Sequence, residues 1–287
     1  MKRILIGMLC LGSVINAFAW GHEGHRLVAL VAESRLTSEA RQQVHLLLGR
    51  DSIADIASFA DDYRQDHAST GPWHYVDIPH TKPTYDRDRD CPAATASKSG
   101  AGTSSGPWRD CVVDRIPFFA AQLKNPTLSA KDRAFALMML VHLVGDIHQP
   151  MHAIGDARGG NQIRVVFFGS EQCGERQKCN LHNIWDDGLI EHRSLSEKKY
   201  ASLLESEIVQ HNWDKVAQEN PVVWANQSHQ LAIDAWVPDR AGISKDYYNA
   251  EIAVVDRQLA LAGIRLARML NAILVAPQPS SAERTMP

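Results

Sequence analysis

The stretch VHLVGDIHQPMH, residues 141–152, carries the densest group of side chains that could bind a metal ion. His142 and Asp146 are four positions apart, so on a helix they share one face and can hold one ion together. His148 is roughly 240° around the helix from His142 and points elsewhere, whereas His152 follows a proline and can turn back from a loop. The neighbouring positions are apolar, and a buried carboxylate is costly unless it is paired or coordinates a metal. The pattern therefore favours a metal site over a row of solvated polar residues.

The same spacing recurs in LHNIWDDG, where His182 and Asp186 are again four positions apart. We expect this pair on the first turns of a helix. Two further side chains are candidates, because Asp61 follows an apolar helical pattern and His74 lies among aromatic residues. The nitrogen and carboxylate candidates are His25, Asp61, His74, His142, Asp146, His152, His182 and Asp186. They are too many for one tetrahedral ion, so the sequence predicts a cluster of ions with open coordination positions, as in catalytic sites.

Helices must position most of these side chains, since apolar residues recur at helical spacing along most of the chain. Ser129, with Asp132 three residues later, is typical of a helix N-terminal cap, and Pro150 should stop the apolar run that follows. The other predicted helices lie near residues 24–31, 44–48, 53–59, 195–213 and 248–275.

The strand signal is sparse. Gln162–Phe168 is short, β-branched and aromatic, and we expect it to form a β-hairpin with a second short strand past Cys179. Residues 80–110 are predicted to be a long loop and residues 276–287 a disordered tail. The fold class is therefore mainly α: a single compact multi-helix domain over residues 20–275 with a small β-hairpin.

The N-terminus has the pattern of a secretory signal peptide over residues 1–19. Lys2 and Arg3 precede an apolar run, and Ala17 and Ala19 stand where a cut before Trp20 requires small residues. The alternative is a buried N-terminal helix. The apolar run is too short to span a bilayer, and so is every other stretch. We therefore expect cleavage between Ala19 and Trp20, a secreted or periplasmic protein, and no association with a membrane.

Removal of this leader takes away two basic residues and changes the formal charge from −3 to −5. Such a charge disfavours a protein that binds duplex nucleic acid by electrostatics alone. A polyanionic substrate would have to be held by local positive charge, such as that of bound metal ions.

Four cysteines remain in the mature chain, and an even number in an exported protein indicates disulfides with three possible connectivities. Proximity in the sequence favours Cys91–Cys111 and Cys173–Cys179. The alternative, a zinc site made of all four thiolates, lacks the usual C-x2-C element.

Together these residues resemble a known family, the zinc-dependent single-strand nucleases and 3′-nucleotidases of fungi, plants and some bacteria. The chain is similar to that family from Trp20 to about Asn271, including its last helix, LALAGIRLARMLN. The resemblance implies a helical fold like that of the nucleases and the phospholipases C. The motifs that carry it are Trp20 at a processed N-terminus followed by Gly-x-x-Gly-His, then ASFAD, WHYVD, HLVGDIHQPMH, GGNQI and LHNIWD, in this order.

The resemblance implies three zinc ions per chain. Trp20, through its free amino group and carbonyl, and His25 would hold one ion, and Asp146 would bridge it to a second. The second ion would also take Asp61, His74 and His142, and the third would take His152, His182 and Asp186. Carboxylate and imidazole ligands also suit manganese or iron, so zinc itself depends on the resemblance.

The implied activity is hydrolysis of single-stranded DNA and RNA, and of 3′-nucleotides, to products with 5′-phosphates where a strand is cut. In the family pattern Asp61 and Arg64 would be catalytic, while Tyr75, Asp77 and Asn161 would bind substrate. Ordinary packing for Tyr75 and a solvated arginine for Arg64 are the alternatives. We expect a monomer without an obligate protein partner.

Two other functions are compatible with part of this pattern. A bacterial zinc-dependent phospholipase C has a related fold and metal site, but its first histidine lies farther from the N-terminal tryptophan and its last carboxylate is typically glutamate rather than Asp186. A non-catalytic exported metal-binding protein would tend to carry its histidines in tracts, whereas the thirteen histidines here are dispersed.

Overall fold

A computed structural model describes residues 20–93, 107–174, 177–216 and 220–275. The predicted leader and tail lie outside these residues. The α-helices are α1 His22–Glu33, α2 Ser38–Leu48, α3 Phe59–Asp66, α4 Arg87–Asp90, α5 Val112–Lys124, α6 Ala130–Asp146, α7 Leu181–Asn183, α8 Leu189–His192, α9 Glu197–His211, α10 Trp213–Val216, α11 Pro221–Asp234 and α12 Lys245–Ile273. Short 3-10 segments span Ala68–His74 and Pro150–Ala153, a turn with positive φ at Ala157 and Arg158 spans Asp156–Arg158, a π-helical turn spans Ile184–Gly188, and the strands are β1 Val165–Phe167 and β2 Ala241–Ile243. The mainly α prediction is confirmed.

Helices α6 and α12 form the centre of the molecule. In α6 every residue from Met139 to Asp146 is buried, and in α12 burial is continuous from Gln258 to Ala267, as expected of helices surrounded by others. Helix α1 packs on α12 at close range: a Cβ placed on Gly263 would lie 2.5 Å from Cγ1 of Val31. This packing fixes α1, and with it His25, against the α6 helix.

Helix α6 begins as predicted, because the Ser129 hydroxyl accepts the Asp132 N–H. It ends at Asp146, four residues before Pro150, which starts the next 3-10 segment. Two neighbouring helices hold the turn between Asp146 and Pro150 by donating hydrogen bonds to its main-chain carbonyls. Ser228 of α11 donates to the Ile147 carbonyl at 2.6 Å, and Gln258 of α12 donates to the next carbonyl at 2.8 Å.

The predicted β-hairpin is wrong in its pairing. β1 pairs in parallel with β2, in the register Val165 with Ala241. The segment around the second disulfide contributes isolated antiparallel bridges, such as the one between Arg164 and Asn180. The chain enters α7 at Leu181, directly after the disulfide, so no length remains there for a second hairpin strand.

Other predicted boundaries differ locally. The pattern at 53–59 gives turns through Ser58 instead of a helix, with backbone hydrogen bonds to the third residue before, such as that from the Ala57 N–H to the Ala54 carbonyl. The predicted helix at 195–213 ends at His211, since Asn212 adopts φ of 53° and stops it. Part of the loop at 80–110 is helical as α4, and its residues 94–106 lie outside the described part of the chain.

Both predicted disulfides are formed. Cys91 bonds Cys111, which precedes α5, and Cys173 bonds Cys179, which precedes α7. The four-thiolate zinc alternative is therefore excluded. None of the described helices is both long enough and apolar enough to span a membrane.

Candidate metal centre and its pocket

Three elements bring the first group of predicted ligands together. His142 and Asp146 lie one turn apart at the end of α6, fully buried, with Nε2 of His142 3.3 Å from Oδ2 of Asp146. Asp61, in the first turn of α3, places Oδ1 3.7 Å from the same nitrogen. His74 ends a 3-10 segment, and its Nδ1 makes a hydrogen bond of 2.9 Å to Oδ2 of Asp146. Residues separated by up to 85 positions thus form one polar group inside an apolar core.

The second group consists of His152, His182 and Asp186. Nε2 of His152 lies 3.9 Å from Oδ1 of Asp186, and Nε2 of His182 lies 3.4 Å from Oδ2. His182, in α7, and Asp186, in the π-helical turn that follows, are brought together by this turn and by a capping box of Asn180 that starts the helix. Such π-helical turns occur frequently at functional sites. This group adjoins the first, since Nδ1 of His152 is 4.0 Å from Oδ1 of Asp146.

The first described residues of the chain join the two groups. The His25 ring stacks on His142 with centroids 3.8 Å apart, and its Nε2 lies 3.3 Å from Oδ1 of Asp146. Trp20 is completely buried. The N–H of Gly21 donates to the main-chain carbonyl of Asp186 at 2.9 Å. Trp20 is therefore held beside the predicted ligands of both groups.

The backbone orients three of the imidazoles toward the centre of the site. Each donates its Nδ1–H to a main-chain carbonyl, which leaves the Nε2 lone pair free to face the carboxylates. Carbonyl partners of this kind commonly fix the tautomer of a metal-binding histidine. The pairs are His142 with Ala57 at 2.8 Å, His152 with His74 at 2.8 Å and His182 with Gly159 at 2.6 Å.

Unpartnered buried polar atoms show that the site fits metal ions, whatever family the chain belongs to. Several buried polar atoms at its centre have no hydrogen-bond partner among the described residues. Buried polar atoms normally have partners, and each exception requires a reason. The atoms are Nε2 of His25, His142, His152 and His182 and Oδ1 of Asp146. All are groups that coordinate divalent cations.

The pKa values of most of the imidazoles keep them neutral and able to coordinate. Burial and the neighbouring His142 ring lower the pKa of His25 to about 4. Burial and the neighbouring His152 ring lower the pKa of His182 to about 3. Burial likewise lowers the pKa of His74 and of His152. A neutral imidazole presents a lone pair, which is the form that binds a metal.

Two buried carboxylates of the site respond differently to their surroundings. Burial raises the pKa of Asp186 well above its ordinary value, and Asp187 raises it further. At Asp146 burial acts in the same direction, but His142 outweighs it and holds the pKa well below normal. Burial lowers the pKa of His142, but the carboxylates of Asp146 and Asp61 dominate and raise it to about 9. Burial thus disfavours the charged form of both carboxylates, and a bound divalent cation would offset that penalty.

A pocket of about 220 Å³ opens onto the second group, because His152 and His182 form part of its wall. The four predicted non-metal residues all line it: Arg64, Tyr75, Asp77 and Asn161. Nη2 of Arg64 lies 3.0 Å from Oδ1 of Asp61, which links the pocket to the first group. Tyr75 is 37 % exposed, so its ring is open to a ligand rather than packed in the core.

Comparison with known proteins agrees with this geometry. A family model described as S1/P1 nuclease matches residues 20–275. The chain belongs to the S1/P1 nuclease family. The match begins at Trp20 and contains all the predicted ligands, and it favours the nuclease reading of the sequence over a phospholipase C.

Individual relatives are similar over nearly their whole length. Nuclease P1 of Penicillium citrinum is 31% identical, over 88% of this chain and 97% of its own. Nuclease S1 of Aspergillus oryzae is 30% identical, over 98% of this chain and 100% of its own. Endonuclease 4 of Arabidopsis thaliana is 32% identical, over 95% of each chain. The similarity is thus to whole proteins rather than to one shared motif.

Sequence reasoning missed two residues of the site. Gln149 donates from Nε2 to Oδ1 of Asp186 at 2.5 Å while its Oε1 accepts the N–H of Met151. The signal available in the sequence was an amide directly before Pro150, and in the structure this side chain is fully buried. Arg158 lines the pocket, but its neighbours in the sequence gave no periodic pattern from which to place it.

Proposed function

We propose that the mature chain is a zinc-dependent phosphodiesterase that hydrolyses single-stranded DNA and RNA to 5′-phosphorylated products and also acts as a 3′-nucleotidase. The observation that carries this proposal is the convergence of two buried histidine–carboxylate groups, rich in unpartnered ligand atoms, beside a pocket lined by Arg64 and Tyr75. Zinc held there would activate a water near neutral pH and neutralise the charge of a phosphate. Membership of the nuclease family supports the same reaction class.

The three proposed ions divide the ligands as the family resemblance implies. Asp61, His74 and His142 would hold one ion, and Asp146, which approaches both His142 and His25, would bridge it to the ion held by His25. The geometry also supports the third set, because its members group on their own. That set is His152, His182 and Asp186.

The other pocket residues have roles that follow from their chemistry. Asp61 would accept a hydrogen bond from the attacking water and so orient it, while Arg64, 3.0 Å from Asp61, would contact the phosphate. Tyr75 would stack on an unpaired base, and Asp77 and Asn161 would contact its polar edge. A stiff duplex cannot present its phosphate to a recessed site of this kind, so single strands are the preferred substrates.

The proposal includes export and processing. Cleavage between Ala19 and Trp20 would free the amino group of a residue that is completely buried beside His25, where it could complete the ligands of that ion. Two disulfides are consistent with an oxidising compartment, either periplasmic or extracellular. Uncleaved protein should lack a complete cluster.

The first test is metal content and activity on one preparation that begins at Trp20. We expect close to three zinc ions per chain by elemental analysis, with hydrolysis of single-stranded DNA, RNA and 3′-AMP. Phosphatidylcholine serves as the control substrate. One ion or none, together with no hydrolysis of nucleic acid, would refute the proposal, and lipid hydrolysis alone would replace the substrate class.

A second preparation that keeps Ala19 before Trp20 tests the role of the free amino group. It should bind fewer zinc ions and lose most activity. In the processed chain, Arg64→Ala should lower kcat by about 100-fold or more while the zinc content stays constant. Full activity of either preparation would remove the corresponding role.

A further inference from the structure

Four consecutive residues beside the pocket adopt left-handed backbone conformations. The φ angles are 47° at Ala157, 55° at Arg158, 62° at Gly159 and 81° at Gly160. Glycine accepts such angles freely, but a residue with a Cβ is strained there. Strained residues of this kind collect at ligand sites, where the surrounding structure maintains them.

The surroundings of this segment are themselves part of the site. The Gly159 carbonyl accepts the Nδ1–H of His182, and Nδ2 of Asn161 donates to the Arg158 carbonyl at 2.9 Å. The strained segment therefore helps to orient one predicted metal ligand and one predicted substrate contact. It also fixes the position at which the side chain of Arg158 leaves the backbone.

The side chain of Arg158 lines the same pocket as Arg64, and the two guanidinium groups differ in their partners. Arg64 is paired with Asp61. The guanidinium of Arg158 has neither an ion pair nor a hydrogen bond with any residue of the described ranges, and its side chain is exposed. An exposed arginine at the wall of a pocket, with its guanidinium N–H groups unpaired, is suited to bind an oxyanion in a bidentate manner.

The electrostatic influence of Arg158 on Tyr75 shows that this arginine lies near the ring on which a nucleic-acid base would stack. Burial raises the pKa of Tyr75, and Asp77 raises it further, whereas Arg158 and Arg64 act against this rise. Both guanidinium groups therefore lie within electrostatic range of the ring on which a base would stack. Two cations near one base site exceed what the single phosphate of a 3′-nucleotide requires.

We propose that Arg158 binds the 5′-phosphate of the nucleotide whose base lies on Tyr75. This inference rests on the proposed function, in which the 3′-phosphate of that nucleotide lies at the metal cluster near Arg64. The 5′-phosphate is the next phosphate along a strand and is absent from a 3′-nucleotide. Arg158 is then a specificity residue that favours strands, and 5′-phosphorylated ends, over mononucleotides.

The test compares two dinucleotides, ApA and pApA, which differ only in the 5′-phosphate. The wild-type protein should cleave pApA with a kcat/KM about tenfold higher, which corresponds to about 1.4 kcal/mol, near the lower end of what a hydrogen bond to a charged group contributes. In Arg158→Ala this preference should fall to about one through KM, with kcat and zinc content unchanged. Arg158→Lys should keep part of the preference, because a lysine retains the charge without the bidentate geometry.

Arg240→Ala is the matched control. Arg240 is also an exposed arginine in a left-handed conformation, with φ of 63°, but it lines a different pocket beside β1. Alanine keeps the Cβ at both positions, so each variant removes one positive charge and leaves the backbone strain unchanged. The control should retain the wild-type preference for pApA.

Salt dependence gives a second readout. For a single-stranded oligonucleotide, the slope of log affinity against log salt should become shallower by about 0.7 in Arg158→Ala, as expected for one lost phosphate contact. An unchanged preference and slope in that variant would overturn the role of Arg158, and so would an equal loss on ApA and pApA. If the wild-type protein hydrolysed neither dinucleotide nor single-stranded DNA, the proposed function would fail as well.

Discussion

Gly145 lies in α6 between two predicted ligands, and replacing it with alanine should remove one metal ion selectively. A Cβ at this position would lie 2.7 Å from Nδ1 of His25 and 3.0 Å from Cε1. The His25 ring cannot easily move away, because it is 1% exposed and stacks on His142 at 3.8 Å. The methyl group therefore acts directly on a predicted ligand of the ion at Trp20.

The size of the effect follows from these distances. An ordinary contact begins at 3.4 Å, so the ring has to shift by about 0.7 Å, whereas zinc–nitrogen distances tolerate only about 0.2 Å. Changes to groups that merely orient a ligand already cost about 10- to 100-fold in metal affinity, so a displaced ligand should cost at least about 100-fold. The free energy of unfolding should fall by no more than about 2 kcal/mol, because alanine gains about 1 kcal/mol in helix propensity against about 1–3 kcal/mol of overpacking.

The assay is zinc per chain by elemental analysis after dialysis against a weak chelator, together with denaturant unfolding of the metal-free protein. Gly145→Ala should bind one zinc ion fewer than the wild-type protein. Gly263→Ala is the control, since its Cβ would meet Val31 at 2.5 Å and no predicted ligand among its nearest atoms; it should lower stability but retain all the zinc. Full zinc content and activity in Gly145→Ala would refute this reasoning, as would an equal loss of zinc in both variants.

Two further predictions concern the groups around the ions. Gln149→Leu removes the donor that holds Asp186 at 2.5 Å, so the affinity for the ion at Asp186 should fall by about 10- to 100-fold in a chelator competition, and equal affinity would contradict the positioning role. In the metal-free protein, burial lowers the pKa of His142 but the carboxylates of Asp146 and Asp61 raise it to about 9. The pKa of His142 in the folded chain thus lies above the value of about 6.5 in an unfolded chain. The stabilisation of the fold by protonated His142 is therefore fully present below about pH 6.5 and is lost as the pH rises through about 9. Urea midpoints of the metal-free protein should therefore fall between pH 6.5 and 9.5, and a midpoint that rises over this interval would show that the His142 charge does not stabilise the fold.

Much of the site was predictable because helical spacing is a local property. The four-residue separations of His142 from Asp146 and of His182 from Asp186 put each pair on one side of a turn, whatever surrounds them. The same helical geometry correctly predicted that His148 points away from His142, and in the structure Nδ1 of His148 bonds the Val144 carbonyl. Pairing of the cysteines was also local, because short separations favour closure.

The partner of β1 was not predictable in this way. Its hydrogen bonds go to β2, 76 positions later in register, and nothing in Val165–Phe167 specifies so distant a partner. The helix boundary at Phe59 was likewise not predictable, because apolar periodicity does not distinguish a helix from the successive turns that the chain forms up to Ser58.

By itself, the sequence determined the residue types, the faces on which they lie and the family pattern, since each is encoded within a few neighbouring positions. Only the tertiary structure decided which faces meet. It brought His25 of α1 against His142 of α6 and placed the carbonyls of Ala57, His74 and Gly159 opposite imidazole N–H groups. It also placed Arg158 in the wall of the pocket. These contacts depend on the packing of α1 and α6 against α12 and on a strained turn, which are properties of the whole folded chain.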